Sequence, residues 1–153
     1  YPYVTSKDVT ASAACSDVGI GPKNVDEVII VFKSYVTRVG AGPLENEISQ
    51  EETKKRGWSE FGTVTGRQRR AAPFNFELAK KACLINSATQ IALTKLDILY
   101  PQIAGINDLS KLDKQSKQFI EKIENETGVP VTLIGTGANE NHIIDRRKIL
   151  KIK

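Results

Sequence analysis

The stretch "QIALTKLDIL", residues 90–99, decides how the rest of this chain is read. Ile91, Ala92 and Leu93 form a short apolar run that gives way at once to polar residues. A run of that length without alternation marks a buried strand of a parallel sheet. A second such run, "VTLIG" at 131–135, opens into "TGANENH". Between the two lies "LSKLDKQSKQFIEKIENETGVPV", the clearest helical pattern in the chain. Ser110 with Asp113 resembles a capping box, and Leu112, Phe119, Ile120 and Ile123 make the buried stripe. Gly128 suits a left-handed C-cap, and Pro130 blocks continuation. Strand, helix and strand in this order predict an α/β fold with a mainly parallel sheet flanked by helices. Ligands of such sheets bind beyond the C-terminal ends of the strands.

Working outward, "FNFELAKKACLINSAT" predicts an amphipathic helix with Phe76, Ala79, Cys83 and Asn86 down one side. "GIGPKNVDEVIIVFKSYVTRVG" reads as helix then strand. Pro22 fits a helix start, and Val25, Val28, Ile29 and Phe32 fall at helical spacing. "SYVTRV" then turns to β-rich composition and stops at "GAGP". Residues 45–56 are polar and charged without clear periodicity and read as a surface excursion.

Length and composition bound the function. With 153 residues and 40% hydrophobic content, the chain can bury one sizeable core. No apolar run is long enough to span a membrane, and the N-terminus is not a targeting peptide, so a cytoplasmic protein is expected. The chain opens on Tyr1, Pro2 and Tyr3 and contains no Met, which reads as part of a longer protein. Cys15 and Cys83 lie far apart, and with a single histidine they exclude zinc-finger spacing. A net charge of +4 is compatible with nucleic acid and equally with anionic metabolites.

Three polar motifs, "TRVGAGP", "TKLD" and "GTGANEN", sit at strand ends or in loops near them. In "TKLD", Thr94 to Asp97, a carboxylate can accept two hydrogen bonds from the N1–H and exocyclic amine of guanine. The aliphatic stem of Lys95 can lie along the base with its ammonium free to hydrogen-bond. Alone, such a tetrapeptide is equally an ordinary solvated pair. Gly135, Thr136 and Gly137 follow the next strand, where glycines let backbone amides approach a ligand; a plain turn is the alternative. In "GTVTGRQRRAAPF", Arg67 and Arg69 have room for bidentate contacts to carboxylate or phosphate. Alone, this is an exposed basic loop. "TRVGAGP", residues 37–43, is a further small-residue loop. His142 has no nucleophilic partner, and Trp58 reads as a packing residue. No G-x-x-x-x-G-K-[ST] occurs, so a base-binding end is present without a triphosphate cradle.

Taken together and in order, "YPYVTS", "KSYVTRVGAGP", "SEFGTVTGRQRR", "LINSATQIALTKLDIL" and "ETGVPVTLIGTG" resemble the C-terminal part of adenylosuccinate synthetases in the compact form found in archaea. The resemblance runs from Tyr1 to about Arg147. It implies a P-loop nucleotide-hydrolase-like sheet lacking its P-loop half, with residues 1–153 as one segment that binds substrate and guanine. It implies a GTP-dependent ligase that phosphorylates the O6 of IMP and then displaces phosphate with L-aspartate. Thr5, Val39 and Arg67 would contact IMP. Thr63, Val64, Thr65, Gly66, Arg67, Gln68 and Arg69 would enclose aspartate. Arg69, Lys95, Leu96, Asp97, Gly135, Thr136 and Gly137 would bind GTP. Catalytic residues and magnesium ligands would lie N-terminal to this segment, which alone would be inactive, and the whole protein would be a homodimer. Val64, Gln68 and Gly135 stand where the family more often has threonine, arginine and serine.

Three other readings remain open on the residues. A phage-type relative joins aspartate to dGMP. A guanine-binding regulatory module would keep its guanine site if Arg67 were lost. A basic nucleic-acid module would use Arg67, Arg69 and Arg70, but aromatic residues are only 7% and do not interleave with these arginines. Neither a nucleic-acid nor a membrane partner is expected.

Overall fold

The two apolar runs lie side by side as parallel strands, with the expected helix in the crossover between them. The computed structural model describes residues 8–64 and 66–151. In chain order its elements are α1 (Ala11–Val18), β1 (Ile29–Lys33), β2 (Tyr35–Arg38), α2 (Gln50–Lys55), β3 (Arg70–Pro73) and α3 (Phe76–Asn86). These are followed by β4 (Gln90–Thr94), α4 (Leu96–Leu99), α5 (Lys114–Thr127), β5 (Val131–Gly135), β6 (Ile143–Asp145) and α6 (Arg147–Leu150). Single turns of 3₁₀ helix occupy Pro22–Asn24, Pro101–Ile103 and Leu109–Lys111.

Four strands form the main sheet in the order β1-β4-β5-β6. β1 pairs β4 in parallel from Ile29↔Gln90 to Lys33↔Thr94, and β4 pairs β5 in parallel. β6 runs antiparallel to β5 at the edge. The α/β expectation therefore holds, as a mixed sheet with mostly parallel strands. A second, two-stranded antiparallel ribbon joins β2 and β3, from Tyr35↔Pro73 to Arg38↔Arg70.

Helices α3 and α5 pack on each other and against one face of the main sheet. Ile91, Leu93, Leu96, Ile123, Val131 and Ile134 are fully buried there. Phe32, Phe74, Phe76, Tyr100 and Phe119 add an aromatic layer with edge-on ring contacts at 5.1–6.1 Å. The opposite face is more open. Ala92 and Leu133 are half-buried and Val31 is 66% exposed. The β4 run is thus buried on one face and lines a groove on the other.

Three local expectations are corrected. The segment beginning at Pro22 is one 3₁₀ turn followed by β1, not a helix. Its apolar spacing suits either structure, and pairing with β4 favours the strand that the β-branched Val28–Val31 run prefers. Residues 45–56 contain α2, which is mostly exposed. Ser49 caps it, accepting from the Glu52 N–H at 3.1 Å, with acids in the first turn and lysines in the last. The long helix starts later than a Ser110 box implies. Asp113 is its N-cap, accepting from the Ser116 N–H at 2.8 Å. Gly128 takes the expected left-handed C-cap, with φ 71°.

Candidate functional site: two strand ends and an arginine hairpin

Beyond the ends of β4 and β5 lies an open groove of about 960 Å³. Ala92 and Leu133 form its floor, and Lys95, Asp97, Gly135 and Gly137 stand around it. The neighbouring register of β4 and β5, with Leu93↔Ile134, sets these groups side by side. Lys95 is the turn between β4 and α4, and its backbone is left-handed at φ 59°, uncommon for a residue with a side chain. Its carbonyl accepts from the hydroxyl of Ser34 at 2.6 Å. Ser34 is itself 1% exposed and donates its N–H to the Thr94 carbonyl at 3.0 Å. This turn sends Leu96 into the core and leaves Asp97 half-buried at the groove.

Two residues expected at the base therefore turn their side chains elsewhere. Leu96 is a core residue, leaving only its backbone near the groove. Thr136 is also fully buried, donating its hydroxyl to the Ile106 carbonyl at 2.6 Å and its N–H to the His142 carbonyl at 2.9 Å. At the end of β5 and just beyond it, what faces the groove is glycine, at 135 and 137. Any Cβ at Gly137 would collide with the His142 ring, so this position requires glycine for space. His142 thus acts in packing and backbone pairing.

The arginine stretch forms a tight hairpin. Phe61 and Gln68 bridge in antiparallel fashion. The Arg69 N–H donates to the Glu60 carbonyl at 2.7 Å, and the Gly62 N–H to the Arg67 carbonyl at 2.8 Å. Thr63, Val64, Gly66 and Arg67 are exposed around its tip, Val64 at 97%. Thr65 and Thr5 lie outside the described residues. A second cavity of about 300 Å³ lies where β2 leaves the ribbon, and it brings Val39 and Arg69 together with Arg38, Glu45 and Asn75. Arg70 braces the loop behind it, donating to the carbonyls of Gly40 at 3.0 Å and Gly42 at 2.9 Å and pairing with Glu47.

Glu60 sits at the base of the hairpin. Its carboxylate accepts from Lys33 Nζ at 3.0 Å and the Tyr35 hydroxyl at 2.8 Å. Lys95 Nζ lies at 3.1 Å and Arg69 Nε at 3.8 Å. Burial alone would raise this carboxyl, but hydrogen bonds from Lys33, Tyr35 and Lys95, with the Lys33 charge, bring it down to about 2. Burial likewise lowers Lys33, against the pull of Glu60. Tyr35 is raised by burial and by donating to Glu60. Its ring stacks on Trp58 at 4.8 Å, which confirms Trp58 as a packing residue. Reasoning from sequence missed Lys33, Ser34, Tyr35 and Glu60. One hint was available: a single acid immediately before an arginine-rich loop.

Among the described residues, no three or more His, Cys, Asp or Glu lie together as a metal site, and no helix is long and apolar enough to cross a membrane. Cys15 and Cys83 are free thiols.

Comparison with known proteins adds three findings. The adenylosuccinate synthetase family model matches residues 1–103. The adenylosuccinate synthetase of Methanocaldococcus jannaschii is 57% identical over 98% of this chain, and that of Pyrococcus horikoshii is 56% identical over 96%. This chain spans 44% and 43% of those two proteins, less than half of each. Among solved structures, a fully ligated adenylosuccinate synthetase from Plasmodium falciparum superimposes with TM-score 0.82 at 27% identity. That match covers 95% of this chain and 46% of the other. A cyanophage succinoaminodeoxyadenylate synthetase shares the fold at TM-score 0.67 and 23% identity, over 95% of this chain and 41% of the other.

Proposed function

The chain belongs to the adenylosuccinate synthetase family, and from that premise we propose that it is the C-terminal, substrate- and guanine-binding part of a GTP-dependent ligase joining IMP to L-aspartate. The observation that carries this reading is the single groove shared by Lys95, Asp97, Gly135 and Gly137. Asp97 makes no hydrogen bond or ion pair among the described residues, so both oxygens are open to the N1–H and 2-amino donors of guanine. Lys95 lays its stem along the base while its ammonium stays on Glu60. Gly135 and Gly137 bring bare backbone to the base edge.

In the proposed reaction GTP phosphorylates the O6 of IMP, and the aspartate amine then displaces phosphate at C6 to give adenylosuccinate. Both steps crowd anions together, and catalysis rests on positioning and on cations near the developing charge. Arg67 serves aspartate and the IMP ribose, and Arg69 approaches the GTP phosphates. The loop from Thr63 to Arg69 encloses aspartate, Val39 offers its backbone to IMP, and Thr5 contacts the IMP phosphate. Phosphate-loop, catalytic and magnesium-binding groups are assigned to the rest of the protein, which works as a cytoplasmic homodimer. Residues 1–153 alone are expected to give no turnover.

The test uses the full-length protein. Adenylosuccinate is followed by chromatography with IMP, aspartate and GTP, with ATP replacing GTP, and with dGMP replacing IMP. Formation that requires GTP and IMP is expected. Equal rates with ATP, or reaction with dGMP alone, would overturn the reading.

A further inference from the structure

We propose that Glu60 is a positioning residue shared by both halves of the site, a single carboxylate that sets Lys95 at the base groove and Arg69 at the arginine hairpin. The inference rests on the proposed function for what those two cations bind, and on geometry for the rest. Glu60 touches four separate parts of the fold. Lys33 reaches it from the end of β1, at 3.1 and 3.0 Å. Tyr35 and Thr37 reach it from β2, at 2.8 and 3.3 Å. Lys95 reaches it from the turn after β4 at 3.1 Å, and Arg69 Nε faces it from the hairpin stem at 3.8 Å, an ion pair without a hydrogen bond. The same residue's main-chain carbonyl takes the Arg69 N–H at 2.7 Å. Side chain and backbone of one residue thus bind the hairpin to the strand end that reads the base.

Three cations meet this one acid. The Glu60 side chain is 16% exposed, while Lys33, Arg69 and Lys95 are 29%, 33% and 43% exposed, so the acid is the sheltered centre of a cluster that water reaches from the cation side. After burial, the nearby charges of Lys95 and Arg69 add to the lowering of the Lys33 pKa, as expected of three cations that repel across the cluster. Neutralising Glu60 leaves that repulsion unopposed, and Lys95 and the hairpin stem move apart. The carboxyl stays ionised well below neutrality, so the clamp is permanent at working pH. Lys33 and Tyr35 hold Glu60 from beneath, with the Lys33 ammonium 5.3 Å from the Tyr35 ring.

The test is Glu60→Gln in the full-length protein. It should raise KM for both GTP and aspartate about tenfold while kcat stays within about threefold. A purely architectural role would instead lower kcat, through the active fraction, and the unfolding midpoint, without moving either KM. Either KM staying within about twofold of the parent overturns the proposal. Should Gln at 60 not fold, Glu60→Asp keeps the charge on a shorter arm and must raise both KM values in smaller measure. An Asp variant indistinguishable from the parent also overturns it. Absence of adenylosuccinate with the parent protein counts against the ligase reading alone. Glu60 is then judged on a crystal structure of the Gln variant, where an unmoved Lys95 and hairpin stem would sink the proposal.

Discussion

The strand-end groove and the arginine hairpin differ in how they are held. Lys95 and Gly135 continue two adjacent parallel strands, and Ser34 fastens the Lys95 turn from beneath. The hairpin is tied at its stem, by Glu60 with Arg69 and by Phe61 with Gln68, while Val64 and Arg67 stand in solvent. One site is built into the sheet and the other is hung from it. Under the proposed function, the core preorganises the guanine contacts, whereas the anion contacts depend on a hairpin fixed at its stem.

Several changes would break or sharpen that contrast. The largest effect is expected from Asp97→Asn, which replaces an acceptor of two donors and should cut kcat/KM for GTP about a hundredfold. Xanthosine triphosphate, whose C2 oxygen accepts from the amide, should lose far less; equal losses would deny base reading. Next comes Arg67→Leu, expected to raise KM for aspartate and IMP about thirtyfold while KM for GTP stays within about twofold. A matching rise for GTP would show that the two regions are not separate. Gly137→Ala drives a methyl into the His142 ring and should cost about 1–3 kcal/mol of stability by denaturant titration. Pairing it with His142→Ala should recover part of the loss. The smallest expected effect is acid dependence. Glu60 is depressed from the ordinary 4.5 to about 2, so its contribution to stability is full above the ordinary value and is lost as pH falls through the lower one. The gap in melting temperature between the parent and Glu60→Gln should be constant from neutral pH down to about 4.5 and close towards pH 2.

The groove was the more legible half. Apolar runs ending in Thr94 and Gly135, with a capped helix between, announce two strand ends from local pattern alone. Their chemistry sits within four residues of each strand, so spacing suffices. The hairpin's arginines were legible as residue types, but their anchor was not. Glu60 meets Lys33, Tyr35 and Lys95 across 25 to 35 positions of sequence, and such contacts leave no periodic trace. β1 was misread for a related reason, since its spacing satisfies both helix and strand and the deciding term is pairing with β4, 61 residues on. Leu96 and Thr136 show the limit of transferring motif positions whole. The left-handed turn at Lys95 sends Leu96, the first residue of α4, into the core, and Thr136, just past β5, is held inside by the Ile106 and His142 carbonyls, so a motif's middle residue can belong to the core.

One feature of the sheet bears on how the chain behaves in the test tube. Among the described residues β1 is an edge strand, and its outer face carries Val31 at 66% and Ile29 at 39% exposure. An open edge with an apolar face invites sideways pairing between molecules. Preparations of the isolated 153 residues should therefore scatter light at concentrations where the full-length protein stays clear. Lysine at Val31 is the change that should restore solubility, because an edge charge disfavours stacking another strand against it.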